Sequence, residues 1–452
     1  TYEKSLSLPY NVLHTDLKWS TNTEDKKRAS KYIESILLML RTKVLLNNGD
    51  LSKTEIVWFY PASMTQNRFN KFKAEWENTF ATLFGAPISN IIAASESVAP
   101  YYYHKAKKGA TSTVVSVDIG GGTTDVLIVD KGEPKYLTSF RFAANTIFGD
   151  GYSYDSDSNG FVNKYKDIIT NQLETNNLRG LKAVLKSVLD KRVSTDVIAF
   201  LFSLASNKEI KKEKVEINFA KMLADDNRGK YVVILFYVAI VYHIAKLMKA
   251  KGFDMPRHMT FSGNGSKVLN ILSTNDATLV RLTKIIFEEI YAQSYSIDGL
   301  DIIRPANSKE STCKGGIILT PFQSQDYGEI KDMKTILIGT DNEKFADVHM
   351  TYNDVTEADL DSVVDVIKEY IEFTFKLDKK FSFYDNFDVD RSIMNKVKDL
   401  CYRDIRTYLE NGLAIKKSEI AQDGADDNLE ETLFFYPLVG IINAVVRNIY
   451  QM

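Results

Sequence analysis

The stretch Val114-Val115-Ser116-Val117-Asp118-Ile119-Gly120-Gly121-Gly122-Thr123-Thr124-Asp125-Val126-Leu127-Ile128-Val129-Asp130 limits what this chain can become more than any other part of it. Two runs of β-branched and apolar residues flank three glycines, so the pattern predicts strand, tight turn, strand. The glycines offer backbone angles that other residues adopt only at a cost, and bare N–H groups that an anion can approach. A lysine-bearing phosphate loop or a dinucleotide fingerprint would run into a helix, whereas Val126 to Val129 continue as strand. What remains is a hairpin able to cradle phosphate on Gly120, Gly121, Gly122, Thr123 and Thr124. Asp118 and Asp125 stand at its mouth, placed to orient water around Mg2+. A turn that only reverses the chain does not need three glycines between such residues.

Upstream, Arg28 to Asn47 carries apolar residues at helical spacing, and Glu55 to Tyr60 reads as a buried strand stopped by Pro61. A helix is expected from about Thr65 to Phe84, broken by Gly85-Ala86-Pro87, and a short strand from Ile88 to Ala94. Ser95-Glu96-Ser97-Val98-Ala99-Pro100 then enters a tyrosine-rich helix, with Pro100 suited to its first turn. After the hairpin, Lys135 to Phe142 is a further strand, followed by Phe148-Gly149-Asp150. The apolar run Tyr231 to Tyr242 falls short of a membrane span and ends in His243 and Lys246, so Tyr231 to Lys249 reads as a buried helix. His258 to Phe261 is a strand leading into Ser262-Gly263-Asn264-Gly265-Ser266-Lys267 and a helix opening at Val268, an order that seats anions. Beyond residue 320 a hairpin is expected over Thr335–Met350, with helices at about 356–375, 391–411 and 434–449. Thr356 and Asp359 have capping-box spacing. No internal repeat is visible.

Charge is nearly balanced, with 57 basic and 59 acidic residues, so there is no footprint for nucleic acid or a membrane surface. Cys313 and Cys401 cannot build a disulfide framework, and five scattered histidines show no metal-ligand spacing. These features point to a cytoplasmic protein. At 452 residues there is room for two or three domains.

The glycine hairpin resembles the second phosphate loop of the actin, Hsp70 and sugar-kinase superfamily, and is closest to the Hsp70 form. Ala94 to Pro100 resembles the glutamate-bearing helix entry of that family, and Gly263 to Lys267 its adenosine motif, with Asn264 in place of a glycine. The resemblance implies an α/β fold of the actin-like ATPase type, with ribonuclease H-like lobes built of mixed sheets and flanking helices. It implies ATP and Mg2+ as cofactors. Glu96, Asp118 and Thr123 would be the catalytic residues. Nucleotide would be held by Gly120 to Thr124, by Gly149, and by Gly263, Asn264, Gly265 and Lys267. Asp118 and Asp125 would hold Mg2+ through water. The family's helix of small residues beneath the adenosine loop resembles Ser311 to Leu319.

Nothing in residues 1 to 55 matches the family's first phosphate loop, which either lies upstream or is lost. The expected division is therefore 1–112 as the remainder of a first lobe and 113–152 as the second-lobe sheet. Residues 153–230 would be a helical insertion, 231–320 the second-lobe return, and 321–452 a C-terminal α+β extension. The function implied is ATP binding and Mg-ATP hydrolysis, with lobe closure coupled to a protein partner. A non-hydrolysing nucleotide-gated interaction or filament module is the alternative. A small-molecule kinase and a scaffold without ligand are further classes, the kinase disfavoured by Thr123-Thr124-Asp125 and the lack of a sugar-binding motif.

Overall fold

The computed structural model describes residues 17, 20, 22–61, 64, 66–96, 98–108, 113–152, 156–296, 299–305, 308–319, 351–423, 429 and 431–451. It opens on α1 (Thr23–Leu46), whose N-cap Asn22 accepts a hydrogen bond from Glu24 N at 2.8 Å. β1 (Ile56–Tyr60) follows, and α2 (Gln66–Phe84) ends at Gly85 in the left-handed region, φ +62°. β2 (Ile91–Ser95) pairs parallel with β1, and the helix between them is the crossover such pairing requires. Trp58 of β1, stacked on Trp76 of α2 with centroids 5.6 Å apart, centres a core with Ile33, Leu37, Phe69 and Phe80.

α3 (Val98–Lys108) leads into a five-stranded sheet. β3 (Val114–Ile119), β4 (Thr124–Asp130) and β5 (Glu133–Phe140) form an antiparallel meander. Side chains alternate along them. Val115, Val117, Ile119, Val126, Ile128 and Phe140 enter the main core. Val114, Leu127, Val129 and Leu137 meet Val98, Ala99, Tyr101 and Tyr102 of α3 on the other face. By the same alternation Ser116, Asp118, Asp125 and Ser139 lie on the face toward α3.

Between the meander and the rest of its sheet come six short or medium helices: α4 (Ala144–Phe148), α5 (Gly160–Thr175), α6 (Arg179–Asp190), α7 (Ser194–Ser203), α8 (Lys208–Lys212) and α9 (Phe219–Ala224). α10 (Lys230–Ala250) is apolar on every side because it is buried on every side. Among the described residues it is the one helix long and apolar enough to cross a membrane, and 94% of its most apolar window lies inside the protein. β6 (His258–Ser262) then pairs parallel with β3, giving the order β5-β4-β3-β6. α11 (Leu269–Leu272) and α12 (Asp276–Tyr291) cross over to β7 (Asp301–Ile303), parallel to β6, and α13 (Ser308–Leu319) follows.

The described residues from 351 onward are mainly helical: α14 (Glu357–Phe381), α15 (Phe383–Phe387), α16 (Met394–Cys401), α17 (Ile405–Asp423) and α18 (Phe435–Asn448). The expected capping box starts α14, with Thr356 N donating to Asp359 Oδ2 at 2.8 Å. The helix expected over 391–411 is instead two helices, parted at Asp404, whose φ is +55°. The hairpin expected over 335–350 lies outside the described residues. This C-terminal part shares the main core. Phe435 of α18 stacks on Phe140 of β5 with centroids 3.9 Å apart, and Tyr370 of α14 donates to Leu235 O of α10 at 2.6 Å.

The structure also contains a repetition that the sequence does not show. The order helix, strand, helix, parallel strand, helix occurs as α1-β1-α2-β2-α3 and again as α10-β6-α12-β7-α13, with α11 as a one-turn addition. Only the pattern of burial recurs, and many residues satisfy such a pattern. The two closing helices meet: a Cβ on Gly315 of α13 would stand 1.8 Å from Ala99 O of α3. The small residues of α13 serve its approach to α3, and Gly316 its approach to Phe59.

Candidate functional site

Two glycine turns far apart in sequence are brought together by the β3–β6 ladder, which sets Asp118 opposite Ser262. Both strands end there in the same direction, and the ends of adjacent parallel strands are where α/β sheets open a crevice. The contact between the turns is close. Gly263 has φ +79°, and a Cβ on it would stand 2.2 Å from both Asp118 Oδ1 and Ile119 O. A Cβ on Gly265 would stand 2.1 Å from Gly120 O. Gly263 and Gly265 are thus glycines because the hairpin is pressed against them.

The hairpin glycines are glycines for another reason. None of Gly120, Gly121 and Gly122 has a positive φ, so backbone conformation does not demand them, contrary to the sequence expectation. Gly121 and Gly122 are exposed, and a Cβ on Gly121 would meet Asn145 Oδ1 at an ordinary 3.5 Å. Gly120 N donates to Thr123 O at 2.8 Å, closing the turn. The first residues of α4 clasp one side of it: Ala144 N donates to Gly120 O at 3.3 Å and Asn145 N to Gly121 O at 2.8 Å. In a trans peptide the N–H points away from the C=O. The carbonyls held by α4 therefore turn the N–H groups of Gly121 and Gly122 outward, to the open side. No backbone acceptor among the described residues takes either of them.

Beneath the turn, Asp118 and Asp125 face each other directly across the β3–β4 pair, 6% and 1% exposed. Ser139, opposite Asp125 on β5, has a buried hydroxyl with no hydrogen-bond partner. Hard oxygen donors of this kind suit a divalent cation that keeps much of its water, whereas among the described residues no group of three or more His, Cys, Asp or Glu converges as a direct metal cage. Thr123 is buried at the turn. The hydroxyl of Thr124 is committed to the fold, donating to Phe142 O at 2.6 Å.

Glu96 stands half-buried where β2 gives way to α3, its N–H donating to Tyr60 O at 3.0 Å. α3 is tied to the β4–β5 turn, with Tyr101 Oη and Lys105 Nζ donating to Gly132 O at 3.1 and 2.9 Å. That turn is at the opposite end of the sheet from Gly120. Asn264 and Lys267 are exposed beside the Gly263 turn. Ser266 Oγ donates to Gly263 O at 2.7 Å and holds that turn shut.

Two expectations need correction. Gly149 cannot offer its N–H to phosphate, because that group donates to Asn145 O at 2.7 Å at the end of α4. Its carbonyl accepts from Asn159 Nδ2 at 2.7 Å, and Asp150 next to it caps α7 through Ser194. The helix expected at Val268 is a 3-10 turn, Gly265–Val268, followed by the four residues of α11, too short to present a helix dipole. Asn145 was missed in the sequence, although it follows β5 closely. Its role depends on the fold bringing α4 back across the hairpin.

No family model matches the chain, and no curated protein matches it in sequence. Among solved structures, the ethanolamine utilization protein EutJ from Carboxydothermus hydrogenoformans is similar at 12% identity, covering 66% of this chain and 76% of that one with a TM-score of 0.30. MreB5 of Spiroplasma citri bound to ADP is similar at 14% identity, covering 64% and 75%, with a TM-score of 0.29. At this level of overlap neither likeness adds to the argument. The chain itself is a mixed α/β protein with a mixed sheet and many helices.

Proposed function

We propose that this chain is an actin- and Hsp70-like nucleotide-binding protein in which the β3–β4 hairpin holds the phosphates of Mg-ATP. One observation carries the reading: Gly121 and Gly122 are exposed with no positive φ, and a Cβ on Gly121 would meet nothing closer than 3.5 Å, so the fold does not require glycine there. Close approach of a ligand to their outward N–H groups does. The meander β5-β4-β3, extended by the parallel strands β6 and β7 through helical crossovers, supports a ribonuclease H-like lobe around that hairpin.

In this reading the N–H groups of Gly121 and Gly122 hold phosphate oxygens, with Thr123 beside them. Asp118 and Asp125 hold the hydration shell of Mg2+, which when bound would neutralise charge on the phosphates. Glu96, with Asp118, orients the attacking water from the α3 side. Asn264 and Lys267 line the approach for the nucleoside, and the Gly263 turn fixes the carboxylate of Asp118. Positioning and electrostatics supply most of the catalysis in phosphoryl transfer. A single phosphate hairpin among the described residues therefore favours binding over fast turnover, which keeps a nucleotide-gated interaction module in view.

The test is titration with ATP in the absence and in an excess of Mg2+, on the chain and on Asp125→Asn. The proposal expects Mg2+ to tighten binding and the variant to lose most of that gain. Binding that ignores both Mg2+ and Asp125 would sink the assignment of the carboxylates.

A further inference from the structure

The two carbonyls that aim the hairpin's N–H groups are held from one segment. Gly120 O and Gly121 O accept from Ala144 N and Asn145 N, and Thr124 Oγ1 donates to Phe142 O. The N–H groups of Gly121 and Gly122 share peptide planes with those two carbonyls, so the clasp sets both directions at once. The segment does not support itself. α4 has five residues, far below the length at which a helix stands alone. The chain reaches it from β5 through a tight bend at Arg141, closed by Phe142 N donating to Phe140 O at 2.9 Å. Whatever fixes that bend decides where the clasp lies.

Two carboxylates of the C-terminal helices grip it. Arg141 N donates to Glu431 Oε2, just ahead of α18, at 3.2 Å, and Arg141 Nη1 meets Glu419 of α17 at 2.7 Å. Phe435 of α18 lies against the rings on either side of Arg141, 3.9 Å from Phe140 and 4.7 Å from Phe142 between centroids. Farther along, Tyr152 Oη donates to Tyr436 O at 2.6 Å, and a Cβ on Gly151 would stand 2.7 Å from that of Asn443. The grip contains buried charge: Glu431 and Lys416 are 2% and 4% exposed and 3.2 Å apart. Apolar residues of similar volume often pack at least as stably as a buried ionic cluster. What such a cluster supplies better than apolar packing is a fixed geometry.

We propose that Glu419 and Glu431 are positioning residues of the glycine hairpin. By pinning Arg141 they hold Phe142, Ala144 and Asn145 against the turn, and so keep the N–H groups of Gly121 and Gly122 on the open side. The C-terminal helices are then part of the ligand site without touching the ligand. A loosened clasp lowers affinity because the N–H groups must be ordered again on binding. The pinning follows from contacts alone, whereas its effect on phosphate rests on the nucleotide reading above.

Two variants separate position from stability. Glu431→Gln breaks the grip at one carboxylate. The triple change Arg141→Met, Lys416→Met and Glu431→Met replaces the buried charges with apolar side chains and leaves Glu419, 29% exposed, to solvent. It should keep or raise the urea midpoint. Tyr370→Phe is the control, since it loses the bond to Leu235 O and loosens α14 on α10 away from the bend. Hydrogen–deuterium exchange reads the clasp. In both grip variants the amides of Ala144 and Asn145 should exchange at least about tenfold faster, relative to the β3–β6 ladder, than in the unchanged chain. In Tyr370→Phe that ratio should stay the same. Mg-ATP affinity should fall about tenfold or more in the triple variant and hold in Tyr370→Phe. A clasp that exchanges no faster in the triple variant would overturn the positioning role, as would a faster clasp with undiminished affinity. Failure of the unchanged chain to bind Mg-ATP would instead sink the nucleotide reading, and the exchange ratio would still decide the pinning.

Discussion

Replacing Gly263 with alanine tests directly whether the two glycine turns touch, and Gly252 provides its control. Both have similar backbone angles, φ +79° and +72°, so alanine meets the same left-handed penalty at each. That penalty is about 1–2 kcal/mol, offset by about 0.4–1 kcal/mol from the stiffer unfolded chain. At Gly252 nothing lies within 4 Å of a Cβ, so Gly252→Ala should cost between about 0 and 1.6 kcal/mol. At Gly263 the Cβ would stand 2.2 Å from Asp118 Oδ1 and from Ile119 O. Ile119 O belongs to β3 and cannot withdraw without disturbing the ladder to β6. Overpacking of this kind adds about 1–3 kcal/mol, for a total of about 1–5 kcal/mol and always above the Gly252 control by that added term. The assay is urea unfolding followed by circular dichroism, because Trp58 and Trp76 report only on the first unit. A midpoint for Gly263→Ala that matches Gly252→Ala would refute the contact, and with it the assembled site.

His243 is buried against Phe140, Phe434 and Phe435, and burial holds its pKa down at about 3. The unfolded chain protonates it near pH 6.5, so stability is complete above that pH and falls as the pH drops toward 3. The slope due to this one proton is at most about 1.4 kcal/mol per pH unit. His243→Phe should remove that part of the slope between pH 4 and 6.5, as read from urea midpoints. Glu431 is buried with Lys416 at 3.2 Å, and Arg141 N donates to it at 3.2 Å. Burial opposes its ionisation, but Lys416, Arg141 and the Tyr436 hydroxyl outweigh burial and hold its carboxyl below the ordinary range. Its contribution is therefore present above the unfolded carboxylate pKa and lost as pH falls through the lower folded value. Glu431→Gln strands the buried cation of Lys416, while Arg141 keeps its ion pair with Glu419 at 2.7 Å, and should cost about 3–5 kcal/mol in the same assay; Lys416→Met added to it should recover part of that loss. Gly315→Val pushes α13 from Ala99 and should lower the melting temperature, whereas the same change at exposed Ile317 should not.

The local parts of this structure were legible because local chemistry decides them. β3 and β4 announce themselves by alternation, α10 by an unbroken apolar run, and α14 by Thr356 and Asp359. Pro61, Gly85 and Pro87 punctuate the first unit where expected. What the sequence withheld depends on long-range register. Nothing near Gly263 says that its missing side chain makes room for Asp118, because only the β3–β6 ladder brings the two together. Gly149 looked like a phosphate contact until the end of α4 was seen to take its N–H. Phe435 gives no hint that it will stack on Phe140, almost three hundred positions earlier. The repetition of α1-β1-α2-β2-α3 was invisible because two amphipathic patterns can be filled by unrelated residues.

The central claim is that Gly121 and Gly122 are kept for a phosphate ligand and not for the fold. Calorimetric titration of Mg-ATP into the chain and into Gly121→Ala decides it, with thermal melting run alongside. The account predicts binding to the chain, an unchanged melting temperature in the variant, and an affinity lower by about tenfold or more, roughly 1.4 kcal/mol. Equal affinity in the variant, or no heat with either protein up to millimolar Mg-ATP, would contradict it.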